Sequence, residues 1–364
     1  MIEKIIQGDC ISELKKLDNE SIDLIFADPP YFMQTSGKLL RPEGAEFKGC
    51  DDEWDKFNNL TEYRNFTLQW LKECQRVLKK DGSIWVIGSM QCIYLIGATM
   101  QELGFWLIND VIWQKSNPTP NFLGTRLNNS HETLIWAAKS KSSKFAFNYK
   151  TAKELNSDVL EPNLFKKGER RQLGSVWKIP VCSGNERLKD KLGNKLHNTQ
   201  KPEILLYRII AISSKMGDVV LDPFGGTMTT AAMAKKLGRG YISIEKDERY
   251  IHYGKKRISQ IEFENSDIAN AKWDKKPPKA DMKDMIKAGF FISGETFYLN
   301  GSKATLLDDG KLEFNTEKYD MHSLAAKIKK TKTTRLNGFK YWKVLRNNEL
   351  IGIDLIRQKY RDVQ

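Results

Sequence analysis

One short stretch constrains the fold of this chain more than any other. Residues 22–27 form an almost continuous apolar run, and Asp28, Pro29, Pro30 and Tyr31 follow it at once. The run is too short for a helix, and its apolarity is typical of a parallel strand that is covered on both faces. The prolines cannot continue a central strand because they lack the N–H group that a sheet requires. We therefore predict a buried strand that ends at Asp28, where open α/β sheets bind ligands.

The same corner predicts a binding site. The prolines leave the backbone carbonyls of Asp28 and Pro29 without strand partners, so two or three acceptors and the flat ring of Tyr31 form a fixed cluster. Such a cluster suits a planar base with an exocyclic amine, because the carboxylate and a carbonyl accept its N–H groups while the ring stacks on its face. The alternative is a proline turn capped by Asp28, which is a common surface feature.

Strands and helices alternate through most of the chain. Short runs rich in apolar residues predict strands at 4–8, 83–87, 106–113, 132–137, 218–221 and 240–244. Amphipathic or capped stretches predict helices at 61–78, 91–103, 203–214, 231–237 and 247–261. Asp81 and Gly82 are expected to turn the first long helix into the next strand. The alternation predicts an α/β fold with a doubly wound, mostly parallel sheet.

Two further acids end predicted strands. Asp222 and Glu245 occupy these positions, and a glycine turn at 223–226 follows Asp222. Because the carboxyl ends of parallel strands meet at one edge of a sheet, we expect Asp28, Asp222 and Glu245 to converge on one crevice. The turn has no basic residue beside it, which favours a neutral or cationic nucleoside over a phosphate group. Glu245 follows the turn at a spacing typical of a carboxylate that binds ribose hydroxyls.

The composition limits the class of protein. The chain has 364 residues, 40% hydrophobic and 29% charged, which is enough for one large and one small globular domain. Its net charge of +13 favours a polyanionic partner, although a basic surface also serves solubility alone. The cysteines and histidines show no metal-binding spacing, so no metal site is predicted. No apolar run is long enough to span a membrane, and we expect a cytoplasmic protein.

The domain organisation follows from changes in composition. Residues 1–264 carry the alternating pattern, 265–279 look like a linker, and 280–364 look like a small basic α+β domain. Within the first domain, the basic segment 139–196 is either a solvated face or an insertion that recognises a nucleic acid target. The long stretch 32–59 lacks clear periodicity and hangs from the Asp28 corner, so we interpret it as a lid that touches substrate.

Basic residues next to aromatic ones predict contacts with nucleic acid, the cations for phosphates and the rings for bases. The alternative is that the aromatic residues belong to the core of the small domain. In the C-terminal domain and the lid, the predicted contacts are Lys38, Arg41, Lys330, Lys332, Arg335, Asn337, Lys340 and Trp342.

Three motifs together resemble the β class of DNA amino-methyltransferases, which use S-adenosylmethionine (SAM). Residues 28–31 resemble their catalytic motif, 197–202 their His-x-Thr-Gln-Lys-Pro motif, and 222–230 their cofactor turn. The order of the motifs is that of the β class. Segments 51–57 and 337–339 are similar to the HinfI and CcrM group, whose substrate is adenine in GANTC.

The resemblance implies a role for each matching residue. It implies that Asp28 and the Pro29 carbonyl hold the target amine while Tyr31 stacks on a base that is flipped out of the duplex. The catalytic residues would be Asp28, Pro29, Pro30 and Tyr31, and the cofactor-binding residues Asp9, Cys10, Thr199, Lys201, Asp222, Phe224, Gly226 and Glu245. Asp9 has a second reading as the N-cap of the following helix.

The resemblance leaves several points open. Met228 stands where the family has glycine, so its side chain must find room beside either the cofactor or the following helix. Aspartate at position 28 favours N6 of adenine, with N4 of cytosine and an inactive nucleic-acid-binding protein as alternatives. The implied partner is double-stranded DNA, at the bacterial nucleoid. A cognate restriction endonuclease and a homodimer fit the family but are not decided by the sequence.

Overall fold

The structure is a computed structural model, which describes residues 1–33, 39–40, 46–47, 55–121, 124–157, 166–275 and 278–363. The chain divides into two compact units, Met1–Asp274 and Lys275–Gln364. The predicted lid at 32–59 lies mostly outside the described residues, as do Lys38 and Arg41.

An eight-stranded sheet forms the centre of the first unit, in the order β1-β10-β9-β2-β5-β7-β6-β8. Numbered in chain order, its strands are β1 (Glu3–Gln7), β2 (Ile22–Ala27), β5 (Leu78–Gly88), β6 (Trp106–Lys115), β7 (His131–Ala138), β8 (Val176–Ile179), β9 (Val219–Asp222) and β10 (Gly240–Glu245). A separate antiparallel pair consists of β3 (Leu39–Leu40) and β4 (Glu46–Phe47). The predicted α/β fold with a mostly parallel sheet is confirmed.

One strand of the sheet runs against the others. The five strands β1, β10, β9, β2 and β5 are parallel, whereas β7 is antiparallel to both β5 and β6. The amino end of β7 therefore lies at the same edge of the sheet as the carboxyl ends of β5 and β6. This reversal, which the sequence pattern did not reveal, brings the start of β7 to the ligand-binding edge.

Helices cover both faces of the sheet. They are α1 (Cys10–Leu14), α2 (Leu60–Val77), α3 (Ile93–Glu102), α4 (Tyr149–Glu154), α5 (Glu203–Ser213), α6 (Thr229–Lys236) and α7 (Glu248–Ser259). Alternate residues of β2 enter different cores: Leu24 and Phe26 pack in one buried cluster, and Ile25 and Ala27 in the other. The predicted strand, buried on both faces and ending at Asp28, is confirmed.

The predicted turn at Asp81-Gly82 is wrong, because β5 begins directly after α2 and runs through both residues. The pairing is nevertheless irregular there. Ile22 pairs with Leu78 but Leu24 pairs with Ser83, so β5 bulges between these two registers. The turn-forming residues thus produce a bulge inside a strand rather than its start.

The predicted linker is wrong in its first part. Residues 266–274 pack on the first unit, where the buried guanidinium of Arg239 donates to the Ala269 carbonyl at 2.5 Å. The carboxylate of Asp274 accepts hydrogen bonds from the Thr151 backbone N–H at 2.8 Å and hydroxyl at 2.7 Å. The boundary between the units therefore follows Asp274.

The described residues of the second unit form a six-stranded antiparallel sheet in the order β14-β13-β12-β11-β15-β16, together with three α-helices. Its elements are α8 (Met282–Lys287), β11 (Thr296–Leu299), β12 (Ser302–Leu306), β13 (Leu312–Phe314), β14 (Glu317–Tyr319), α9 (Met321–Ile328), β15 (Lys343–Arg346), β16 (Glu349–Gly352) and α10 (Ile353–Asp362). The hairpins predicted at Asn300-Gly301 and at 308–310 are confirmed. Asn300 and Gly301 both have positive φ, as a tight two-residue hairpin turn requires.

The prediction that Trp342 contacts DNA is wrong in this unit. Its side chain is fully buried, and the indole N–H donates to the Met321 carbonyl at 3.0 Å. Phe339 is also buried and lies under the guanidinium of Arg357. The alternative reading, in which the aromatic residues form the core, is correct here. Lys330, Lys332, Arg335, Asn337 and Lys340 are exposed.

The described helices include none with the length and apolarity of a membrane span. Among the same residues, no group of His, Cys, Asp and Glu is arranged to hold a metal ion. The four described cysteines, Cys10, Cys74, Cys92 and Cys182, are buried free thiols.

Candidate active site

A cavity of about 530 Å³ lies at the carboxyl ends of the parallel strands. Its wall combines the Asp28 corner after β2, the glycine turn after β9 and Glu245 at the end of β10. The predicted convergence of Asp28, Asp222 and Glu245 on one crevice is confirmed. Every residue predicted to be catalytic or to bind the cofactor lines this cavity.

The Asp28 carboxyl group is held by two side chains. Its Oδ2 accepts a hydrogen bond from the Lys201 ammonium at 2.7 Å, and its Oδ1 lies 3.0 Å from the Tyr31 hydroxyl. Lys201 is buried, donates also to the Thr199 carbonyl at 3.2 Å and lies over the Tyr31 ring. The motif at 197–202 therefore supplies a direct partner of Asp28, in addition to its predicted place near the cofactor.

Glu132 is a second acid at the corner, which the sequence analysis missed. Its Oε2 lies 2.9 Å from the Tyr31 hydroxyl, and its Oε1 lies 2.7 Å from the Lys115 ammonium. Glu132 is the second residue of the reversed strand β7 and Lys115 is the last of β6, so both lie at the edge that carries Asp28. The sequence shows an acid next to His131 at the start of a predicted strand, which could have indicated a site residue. The direction of that strand in the sheet, however, could not be seen in the sequence.

Burial and the lysines shift the pKa values of these groups in different directions. Burial raises the pKa of the Asp28 carboxyl above its ordinary value, even though Lys201 opposes that shift. Burial acts in the same way on Glu132, but Lys201 and Lys115 together hold the pKa of that carboxyl below its ordinary value. Burial also raises the pKa of the Tyr31 hydroxyl, so the phenol stays protonated.

Asp55 fixes the backbone after the corner and was also missed. Its carboxylate accepts hydrogen bonds from three successive backbone N–H groups, those of Tyr31 at 2.5 Å, Phe32 at 2.7 Å and Met33 at 2.8 Å. Phe32 has a positive φ of 55°, an uncommon conformation that these bonds stabilise. Tyr63 completes the support by donating its hydroxyl to the Pro30 carbonyl at 2.7 Å.

Asp222 organises the glycine turn. Its carboxylate accepts the Phe224 backbone N–H at 3.0 Å and the Thr230 hydroxyl at 2.5 Å. Burial raises the pKa of this carboxyl to about 7, which the two hydrogen bonds only partly oppose. Gly226 has a positive φ of 49°, so the turn requires a residue that tolerates the left-handed conformation.

Glu245 accepts three backbone N–H groups. One oxygen accepts from Gly226 at 2.7 Å, and the other accepts from Lys246 and Asp247 at 2.8 Å each. Burial raises the pKa of Glu245 above its ordinary value despite these bonds. The bonds fix the carboxylate at the mouth of the turn, and each of its oxygens has further lone pairs that can accept from a ligand.

Asp9 and Cys10 also line the cavity. Asp9 is the N-cap of α1, since its carboxylate accepts the Ser12 backbone N–H at 2.9 Å. Burial raises the pKa of the Cys10 thiol to about 12, so Cys10 presents a neutral, weakly polar surface. The capping role of Asp9 and its position in the cavity wall are compatible.

The side chain of Met228 points away from the cavity. Met228 is fully buried and does not line the cavity, although Thr227 and Thr229 on either side of it do. It lies against Gly254 of α7, where a Cβ atom would come within 2.2 Å of the methionine Cγ. The departure at position 228 is therefore accommodated by the helix packing and leaves the cavity open.

The residues of the cavity fit SAM in their chemistry. The wall carries the carboxylates of Asp9, Asp222 and Glu245, which suit a cationic nucleoside, and a glycine turn that allows close approach. Among the residues that the structure describes, the lysines that line it are Lys201 and Lys246, of which Lys201 is paired with Asp28. A wall of this kind is poorly suited to a phosphate group.

The fold and the cavity define the class of α/β enzymes that bind a nucleoside cofactor at the carboxyl ends of their strands. Residues 22–256 match the family described as DNA methylase, and the chain belongs to that family. It is a SAM-dependent DNA methyltransferase.

Two relatives and one solved structure place the chain further. It is 52% identical over 361 residues to the type II methyltransferase M.HinfI of Haemophilus influenzae, with 99% of this chain and 97% of that protein covered. It is 36% identical over 258 residues to the type II methyltransferase M2.LlaDCHI of Lactococcus lactis subsp. cremoris, with 70% of this chain and 89% of that protein covered. Its fold resembles that of the cytosine-N4-specific PvuII DNA methyltransferase, with a TM-score of 0.53 and 21% identity. The match covers 75% of this chain and 91% of that chain.

Proposed function

We propose that the chain methylates N6 of adenine in duplex DNA within the sequence GANTC. The observation that carries the proposal is the fixed corner at Asp28, which shares one cavity with the cofactor turn and Glu245. Aspartate at this position supports adenine as the base. The target sequence is supported by the similarity of segments 51–57 and 337–339 to the HinfI and CcrM group and is the finest part of the proposal.

The corner is built to orient an exocyclic amine. The Asp28 carboxylate and the Pro29 carbonyl would accept its two N–H groups. Within the described part of the chain, the Pro29 carbonyl accepts no hydrogen bond, whereas the Pro30 carbonyl is taken by Tyr63. The amine nitrogen of adenine is a poor nucleophile because its lone pair is delocalised into the ring. Two acceptors would favour a pyramidal nitrogen whose lone pair is available, a contribution of positioning and electrostatics.

The cofactor would be held by other residues that line the same cavity. SAM, when bound, supplies an electrophilic methyl group. Asp9 would face its adenine, Glu245 its ribose, and Thr199, Lys201, Phe224 and Gly226 its methionine part. Since the amine lies inside a duplex, the target base must be flipped out, and Tyr31 would stack on it.

A methyl-transfer assay with tritiated SAM tests the role of Asp28. Asp28→Ala should abolish transfer while DNA binding stays within a few-fold of the wild type, because the corner acts on the amine and not on phosphates. Asp110→Ala, which removes an exposed carboxylate on β6, is the control and should retain activity. Continued methylation by Asp28→Ala would show that the role assigned to Asp28 is wrong.

Analysis of the methylated product tests the base and the sequence. Duplexes that contain GANTC should yield N6-methyladenine and become resistant to an endonuclease that cuts at GANTC. Appearance of N4-methylcytosine would favour the alternative assignment. An absence of any methylated base, together with intact DNA binding, would favour an inactive binding protein.

The remaining partners are part of the same proposal. We propose that the exposed residues Lys330, Lys332, Arg335, Asn337 and Lys340, together with Lys38, Arg41 and the segment 139–196, contact DNA. A cognate restriction endonuclease, a homodimer and association with the nucleoid complete the proposal. Sedimentation of the protein with and without duplex DNA tests the homodimer directly.

A further inference from the structure

The Tyr31 hydroxyl lies between two carboxyl groups but has a single proton to donate. It is 3.0 Å from Asp28 Oδ1 and 2.9 Å from Glu132 Oε2. A phenol can donate one hydrogen bond, so only one of these contacts uses its proton. The other contact becomes a hydrogen bond only if the carboxyl group itself carries a proton.

The surrounding charges favour Glu132 as the ionised group. Glu132 faces the Lys115 ammonium at 2.7 Å and the Lys201 ammonium at 4.0 Å, whereas Asp28 pairs with Lys201 at 2.7 Å. In this arrangement Tyr31 donates to Glu132, and a protonated Asp28 donates to the Tyr31 oxygen.

The directions in which the pKa values of Asp28 and Glu132 shift agree with this assignment. Burial raises the pKa of Asp28, while Lys201 and Lys115 overcome the effect of burial to lower that of Glu132. Two further ionisable groups act on the cluster. Burial raises the pKa of the Cys92 thiol to about 12, so it is neutral. Burial also raises the pKa of Asp222 to about 7.

We propose that Glu132 is a positioning residue that takes the Tyr31 hydroxyl proton and thereby holds Asp28 as a carboxylic acid until the target amine arrives. Lys115 holds Glu132 in this role. The inference rests on the proposed function, in which Asp28 accepts the amine. Asp28 must release its proton to solvent before its carboxylate can accept a hydrogen bond from the NH2 group of the target base. The proton that the methylated nitrogen then loses returns Asp28 to the acid form.

Glu132→Gln tests the proposal through the pH dependence of the reaction. The amide oxygen would accept from Lys115, the amide N–H would donate to the Tyr31 oxygen, and Tyr31 would then donate to Asp28. Since a hydrogen bond to the ionised form lowers a pKa, the acid limb of the single-turnover rate should move down by about one pH unit.

Two comparisons separate a specific effect from a general one. Glu73→Gln removes a carboxylate of similar side-chain exposure, 16% against 12% for Glu132, that pairs with Arg76 on α2, and should leave the limb in place. Carbon-13 NMR of aspartate carboxyl groups in the free enzyme gives a readout without catalysis, with the Asp28 signal assigned by Asp28→Asn. That signal should titrate at lower pH in Glu132→Gln. Tyr31→Phe should reduce the difference, because only the direct effect of the Glu132 charge on Asp28 then remains.

Each outcome bears on a different statement. The proposal is overturned if the Asp28 titration is unchanged in Glu132→Gln, or if it shifts equally when Tyr31 is replaced by phenylalanine. A wild-type enzyme that methylates no adenine in any duplex would instead refute the proposed function, and the NMR titration would still test Glu132.

Discussion

Met228 occupies the left-handed conformation, with φ 60° and ψ 31°, at the position that precedes α6. A residue with a side chain is uncommon there, and glycine would avoid the conformational cost. Met228 instead fills the space above Gly254, so the two positions depend on each other. Methionine stands in the turn at position 228, and the glycine at position 254 of α7 leaves room for its side chain.

Gly254→Ala should destabilise the first unit by about 1–3 kcal/mol, because the new methyl group overlaps Met228 in a close-packed core. Alanine normally stabilises a helix relative to glycine, so the sign itself identifies the contact. The free energy of unfolding in urea measures the effect. Met228→Ala should largely remove the cost of Gly254→Ala, and Gly174→Ala, where a Cβ meets no atom within 4 Å, serves as the control. Additive effects in the double variant would contradict this coupling.

Asp222 should make the stability of the first unit depend on pH. Its pKa is raised to about 7 in the folded protein, so the folded state holds a proton that the unfolded chain has already lost. Its contribution to stability is therefore fully present below pH of about 4 and is lost as the pH rises through about 7, by up to roughly 4 kcal/mol. Unfolding of the wild type and of Asp222→Asn across this range measures the difference. A difference that does not change with pH would contradict the assignment.

The hairpin at 188–196 holds several basic residues of the segment 139–196 at the surface. Lys189 and Lys195 form an antiparallel bridge, and the Asp190 carboxylate accepts the backbone N–H groups of Leu192 and Asn194. Leu192 at the tip is 86% exposed. The root is fixed by the buried side chain of Gln200, which bonds to the Leu188 N–H and the Glu186 carbonyl. The basic hairpin therefore directly precedes His197, Thr199, Gln200 and Lys201, which line the cavity.

Removing the charge of this hairpin should weaken DNA binding. The lysines at 189, 191 and 195 are exposed and suit phosphate contacts. Lys189→Gln, Lys191→Gln and Lys195→Gln combined should lower the affinity at least about tenfold at low salt and reduce its salt dependence. Fluorescence anisotropy with a labelled duplex measures both. The control combines Lys4→Gln, Lys15→Gln and Lys255→Gln, which remove equal charge from other exposed positions. Equal losses in both triple variants would leave the hairpin without a specific role.

The two units of the molecule have separate cores, and the second is centred on Trp342. This residue packs against Phe297 with the rings 6.3 Å apart, and it ties α9 to the sheet through the Met321 carbonyl. The basic residues of the second unit are presented on this core. Their predicted contact with DNA thus depends on a packed aromatic residue that itself does not reach the surface.

Trp342→Ala should destabilise the second unit by about 3–5 kcal/mol, as expected for a fully buried tryptophan. The first unit should keep its affinity for SAM, because its core and cavity are its own. Thermal unfolding together with calorimetric titration of SAM measures the two effects. Leu355→Ala, at a position 62% exposed, should change neither. Loss of DNA binding by a fully folded Trp342→Ala protein would instead support direct stacking on a base.

Local chemistry in the sequence determined the strand ends, the hairpin turns and the acids around the cavity. Proline cannot continue a central strand because it lacks an N–H, and Asn300-Gly301 turns because both residues tolerate positive φ. These effects act over a few residues, so Asp28, Asp222 and Glu245 could be placed without coordinates.

Only the tertiary structure decided which distant segments meet. The reversed direction of β7 brings Glu132 to Tyr31, Asp55 bonds to the corner from 24 residues along the chain, and burial removes Trp342 from the surface. Such contacts depend on how strands pair and cores pack, which no local pattern specifies.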